Sequence, residues 1–116
     1  MTGFYWIDGG CRAGGHAYGS ISDGTHLETF ELPEASTNNE AEYQTLLKLL
    51  RRLRPEDGCE IFTDSRLLVG QLVWGWRIRA ENLLPLQREA WNLLQNLPAV
   101  TLTWVRRDEI ERRLGH

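Results

Sequence analysis

Cysteine is scarce in this sequence: Cys11 and Cys59 form no CxxC pair and have no histidine placed to complete a zinc site. A disulfide scaffold and a zinc ribbon are therefore excluded, and both residues read as reduced thiols. No run approaches the ~18 apolar residues that a membrane span needs, and the N-terminus lacks a basic-then-apolar leader. A cytoplasmic protein with no membrane partner is the expectation. Excess positive charge is missing too. The formal net charge is −3, the wrong sign for a general nucleic-acid binder. Lysine is nearly absent, since Lys48 is one of 13 basic residues and the rest are arginines. Arginine suits forked phosphate contacts, although biased coding DNA explains the preference equally well. Repeats and low-complexity segments are lacking, and 116 residues make one small domain, 1–116, around a single core.

What the chain has is uneven charge and regular alternation of elements. Residues 1–50 hold two basic and seven acidic side chains, and residues 51–116 hold eleven and nine. An acidic half beside an arginine-rich half suits a metal site facing a polyanion, and solvated surface charge accounts for it as well. Phe4-Tyr5-Trp6-Ile7-Asp8-Gly9-Gly10 reads as a strand released into a loop by its glycines. Ala17 to Ser22 is a second strand. Asp23-Gly24 signals a hairpin returning through Thr25 to Leu32. A helix starts at Asn38, with Tyr43, Leu46, Leu47, Leu50 and Leu53 recurring at helical spacing over about four turns. A strand over Cys59–Asp64 follows, then a Ser65-capped helix, Arg66–Val73, and a loop over Trp74–Glu81. Asn82 is expected to cap a third helix, with Pro85 in its first turn and a stripe of Leu83, Leu86, Ala90, Leu94 and Leu97. Val100 to Val105 is the last strand, before a charged tail from Arg106 to His116. The order βββαβααβ implies an α/β fold: a mixed five-stranded sheet, three antiparallel strands then parallel additions, with helices on both faces. Five or so residues of strand would hold Cys11 and Cys59 about 16 Å apart, beyond disulfide reach.

Three carboxylates stand out. Asp8 and Asp64 each fall near the end of an apolar strand, where an uncompensated charge would be costly. Glu42 lies one turn before Leu46, at the edge of the apolar stripe, whereas Glu40 is placed as an ordinary first-turn acid. If the first and fourth strands pair in parallel, all three acids converge. Converging carboxylates repel unless a cation sits among them, and oxygen-only ligands favour Mg²⁺ or Mn²⁺. Two such ions about 4 Å apart are the usual clamp for in-line attack on a phosphodiester.

Asp8-Gly9-Gly10, Thr37-Asn38-Asn39-Glu40-Ala41-Glu42-Tyr43 and Thr63-Asp64-Ser65 resemble the three signatures of type 1 ribonuclease H. The run Gln71-Leu72-Val73, Gly75-Trp76-Arg77, Arg79, Glu81-Asn82-Leu83 and Pro85-Leu86, continued by Trp104-Val105, is similar to the compact archaeal-like branch without the basic handle. The resemblance covers nearly the whole chain. It implies the ribonuclease H-like fold and hydrolysis of the RNA strand of RNA–DNA hybrids. It also implies Asp8, Glu42 and Asp64 as catalytic metal ligands for two Mg²⁺ or Mn²⁺ ions bound with substrate. Asn38 and Asn39 would touch the RNA strand's sugars. Arg12, Trp76, Arg77 and Arg79 are further candidate nucleic-acid contacts, with a solvated loop the alternative for Arg77 and Arg79 and rim packing the alternative for Trp76. A hybrid is then the partner, a monomer the expected state, and no small-molecule cofactor is called for.

The sequence departs from the family in two places. The loop after Asp8 is about two residues shorter than the family's, so one RNA-gripping asparagine has no counterpart. The family's final helix carries an Asn-x-x-Ala-Asp pattern that supplies a fourth carboxylate. Here those positions fall on Ile110 and Leu114, so the final helix is expected to be lacking. Either the chain is cut short or the site runs on three ligands. Two other readings therefore stand beside the hybrid ribonuclease: a binding module of the same fold that holds hybrid or double-stranded RNA without efficient cutting, and a related nuclease acting on DNA.

Overall fold

In the computed structural model, which describes residues 2–115, the aromatic N-terminal run becomes the middle strand of the sheet. Strand β1 (Thr2–Cys11) pairs antiparallel with β2 (Ala17–Ser22) and parallel with β4 (Gly58–Thr63). Outside these lie β3 (Leu27–Glu31), antiparallel to β2, and β5 (Val100–Trp104), parallel to β4. The order is β3-β2-β1-β4-β5, the mixed sheet that the sequence leads one to expect. The hairpin turn works through Asp23, whose Oδ1 accepts from the backbone N–H of Thr25 and of His26 at 2.9 and 2.7 Å.

Side chains alternate across a strand, so β1 serves two cores. Ile7 joins Ile21, Ile61 and Leu102 under three helices: α1 (Asn38–Leu50), α2 (Arg66–Leu72) and α3 (Leu84–Gln95). Trp6 faces the opposite way, against Phe62, Val105, Ile110 and Leu114. Ile110 and Leu114 belong to a fourth helix, α4 (Arg107–Leu114), so the expectation that a final helix is lacking is corrected. Its two apolar residues recur four apart on one face, and burial against Trp6 drives an otherwise highly charged segment into a helix.

Helix α1 begins on a reciprocal cap. Thr37 Oγ1 accepts from Glu40 N–H at 3.1 Å, while Glu40 Oε1 accepts from the Ser36 N–H and hydroxyl at 2.9 and 2.7 Å. These bonds, the Ser36 hydroxyl's first, hold the Glu40 carboxyl down at about 2. The helix stops at Leu50, one turn short of Leu53. Ser65 caps α2 as expected, accepting from Leu68 N–H at 3.1 Å. Asn82 does not cap α3. It lies in a 3₁₀ turn, Glu81–Leu83, leading into that helix, and its side chain bonds Glu40 at the start of α1. The register pairs Cys59 with Gly3, eight residues below Cys11, so the thiols are roughly 26 Å apart. Both are free.

Gly9 and Gly10 do not release the chain into a loop; they stay in β1, paired with Gly19 and Tyr18 of β2. The reason is packing. A Cβ on Gly9 would stand 2.5 Å from the carbonyl oxygen of Ala41 and 2.9 Å from the backbone nitrogen of Glu42. Backbone cannot rotate out of the way, so the glycine sets how closely α1 approaches β1. Gly9→Ala is expected to push the helix outward and destabilise the protein by about 1–3 kcal/mol, the usual cost of overpacking. Urea denaturation of both proteins measures this, and an unchanged midpoint would contradict it.

Candidate active site

Trp6 and Phe62 face each other across the parallel pair, and two residues beyond that rung stand Asp8, within β1, and Asp64, the residue just past the end of β4. Both aspartates therefore share the face of the sheet occupied by Trp6 and Phe62. Glu42 arrives from the second turn of α1, which Gly9 lets close onto β1. One oxygen from each of the three lies within 4.8 Å of the others.

The chain around Asp64 is held by side-chain and backbone donors. Trp104 donates from Nε1 to the Asp64 carbonyl at 3.1 Å, and Val105 N–H donates to the Thr63 carbonyl at 2.8 Å. Arg66 covers the Trp104 ring at 4.6 Å. Strand β5 and its extension thus fix the point at which β4 ends.

Like charges at this spacing in a half-dry cleft need compensation. Glu42 shows the stress most clearly. Burial, reinforced by the charges of Asp8 and Asp64, pushes its carboxyl up to about 9, against the pull of Arg107 and of the Gly9 N–H. Its Oε2 is buried with no hydrogen-bond partner among the described residues. Arg107, the first residue of α4, supplies a cation. Its Nη1 donates to Asp64 Oδ2 at 2.9 Å and to Asp8 Oδ1 at 3.1 Å, and its Nε lies 3.9 Å from Glu111 Oε1. Burial works against the guanidinium's charge, yet the bonds to Asp64 and Asp8 outweigh it and hold the group above its ordinary value.

This donor set fits a hard divalent cation. It is all oxygen, it includes a buried carboxylate oxygen without a partner, and it already draws a positive group into its midst. Among the described residues α4 adds no fourth acid to the cluster. Leu114 is buried, Asp108 pairs with Arg106 and Glu109 with Arg112.

The other candidate residues are dispersed around the site. Asn38 Oδ1 accepts from the Cys11 N–H at 2.7 Å, tying the end of β1 to the start of α1. Asn39 and Arg12 are exposed, and the Arg12 guanidinium stacks 4.5 Å over the Tyr18 ring. Trp76, half-exposed, lies on Gly70 of α2, where an added Cβ would meet its ring at 2.2 Å. Trp74 is 5.5 Å from it. Arg77 and Arg79 are exposed and make no ion pair among the described residues. His16 is exposed, and His116 lies outside the described residues. Sequence reasoning missed Arg107, Trp104 and the packing role of Gly9. The spacing of Arg107, Glu111, Ile110 and Leu114 at helical intervals is the signal that could have separated Arg107 from the tail's other arginines.

Similar folds are known. RNase H1 from the halophilic archaeon Halobacterium salinarum superposes with a TM-score of 0.76 at 24% identity, covering 97% of this chain and 92% of that one. LC11-RNase H1, isolated from compost by a metagenomic approach, gives 0.80 at 23% identity, covering 95% and 88%. The same LC11 enzyme in complex with an RNA/DNA hybrid gives 0.74 at 21% identity over 95% and 89%. At such identities the likeness is one of fold. The sequence also matches the family described as RNase H over residues 3–108, a span that takes in Asp8, Glu42, Asp64 and Arg107, and the chain belongs to that family.

Proposed function

We propose that this protein is a divalent-metal-dependent ribonuclease that hydrolyses the RNA strand of RNA–DNA hybrids. The convergence of Asp8, Glu42 and Asp64 within 4.8 Å carries the reading. Family membership and the hybrid held by one solved relative support it. The three carboxylates would hold Mg²⁺ or Mn²⁺. Such ions, when bound, lower the pKa of a water and stabilise the oxygen that leaves. The chain's own part is placement. Gly9 and Trp104 fix where Glu42 and Asp64 stand, and α1 presents Asn38 and Asn39 on its first turn beside the carboxylates. Asn38 is already committed to the Cys11 N–H through its oxygen, which leaves its amide N–H groups for sugar hydroxyls. Selection of hybrid over DNA duplex would rest on such 2′-hydroxyl contacts and on groove shape. Arg12, Trp76, Arg77 and Arg79 are the proposed contacts to the rest of the duplex.

Arg107 favours a second reading, a binding module of the same fold with weak or no cutting. A guanidinium stands among the acids, and no fourth carboxylate joins the cluster. Cleavage of hybrid, double-stranded RNA and DNA duplex in Mg²⁺ and in Mn²⁺ decides between the two. The expected outcome is cutting of hybrid alone, stronger in Mn²⁺, which binds such sites more tightly than Mg²⁺. Asp8→Asn and Asp64→Asn should each remove cleavage and leave the fold intact, as read by circular dichroism. Near-normal cutting in either variant would sink the metal-ligand assignment.

Glu42 gives an independent test without substrate. An unfolded glutamate has a pKa near ~4.3, whereas the folded, metal-free group sits at about 9. Between those values the folded state keeps a proton that the unfolded state has lost, so stability falls as pH rises through that window. Glutamine carries no such proton. Metal-free Glu42→Gln should therefore melt several degrees above the parent at pH 8, with the gap closing toward pH 5. A gap independent of pH would show that Glu42 is not held protonated.

A further inference from the structure

Arg107 opens α4 and reaches back into the carboxylate cluster, with one nitrogen, Nη1, shared between Asp8 and Asp64. Its backbone is anchored, because Ile110 and Leu114 one and two turns later are buried against Trp6. Its side chain is not enclosed: it is 47% exposed, and Glu111, one turn on, lies 3.9 Å from its Nε as a partner on the solvent side. A guanidinium on a fixed stem can therefore move between two positions, inward onto the aspartates or outward along α4.

The inward position conflicts with a metal. Asp8, Glu42 and Asp64 carry three negative charges when all are ionised. One divalent ion and one guanidinium would balance them numerically, but both cations would draw on the same aspartate oxygens. Two positive groups at such short range repel strongly in a cleft with little water. Resting on the metal-centre reading above, we infer that Arg107 is a built-in, displaceable counter-ion of that centre. It compensates Asp8 and Asp64 in the metal-free protein, and a divalent ion binds only as its guanidinium swings out. The arginine weakens metal binding in the free protein. Once outward, it shares its charge only with the exposed Glu111, which leaves it available to a phosphate of the substrate.

The test uses Mn²⁺ alone, without nucleic acid, on the full chain at fixed pH and ionic strength. Binding is followed by calorimetry and by the electron paramagnetic resonance signal of free Mn²⁺. Arg107→Ala should bind Mn²⁺ about tenfold or more tightly than the parent, since a competing cation has gone. Arg107→Gln, shorter but polar and uncharged, should do the same, so the measurement survives if one variant folds poorly. Arg106→Ala removes equal charge from a side chain paired with Asp108 rather than with the cluster, and its affinity should stay close to the parent's. A second readout is thermal. Metal-free Arg107→Ala should melt below the parent, and Mn²⁺ should raise its melting temperature by more. If the parent binds Mn²⁺ and neither Arg107 variant binds it more tightly, the inference is overturned while the metal centre stands. If no protein takes up Mn²⁺, including both Arg107 variants, the metal centre falls and this inference with it.

Discussion

Repulsion between carboxylates is the constraint on which the rest of this structure depends. The parallel register of β1 against β4 places two aspartates beyond the same rung, and the close approach of α1 at Gly9 brings a glutamate to them. Each step is locally favourable: strands pair, a helix covers a sheet. Together they concentrate three acids where water is scarce. The chain answers with what it has, a neutral Glu42 and an arginine from its last helix. Free energy that tighter packing supplies is thus partly offset by charge held at the carboxyl end of the sheet. Stability is commonly given up in this way at sites arranged for chemistry.

Much of this was legible in the residues because the informative features were local. Asp8 and Asp64 each interrupt an apolar run, and Glu42 breaks the pattern of an amphipathic helix whose caps announce its start. Parallel pairing of the flanking strands then brings the three together. What escaped was non-local or decided by tertiary contact. Gly9 and Gly10 have the composition of a loop, yet the carbonyl of Ala41 requires an absent side chain inside a strand. Asn82 has the composition of a cap, but Glu40, more than 40 residues earlier, takes its side chain instead. The tail reads as a charged end without a helix, because two buried residues in eight are a faint signal until Trp6 is there to receive them.

The proposed nucleic-acid face is less unified than the acid cluster. Asn38 is built into the frame, while Arg77 and Arg79 project from a loop anchored at one end by the Trp76 ring on Gly70 and at the other by Asn82 on Glu40. A loop pinned at both ends offers its arginines in a restricted arc, which suits a duplex of fixed width better than a flexible strand. The net charge of −3 is no obstacle to such contact, because apart from Asp8, Glu42 and Asp64 the 13 remaining acidic residues balance the 13 basic ones.

The bond from Arg107 to Asp8 joins residues 99 positions apart. Closing so long a loop comes late, after hairpins and neighbouring helices have formed, because chain entropy must be overcome before the contact gives anything back. On the ribosome, Asp8, Glu42 and Asp64 are all made before residue 107, since synthesis runs from the N-terminus. The last helix, which supplies the arginine that balances the acids of the cleft, is thus also the last element to be made.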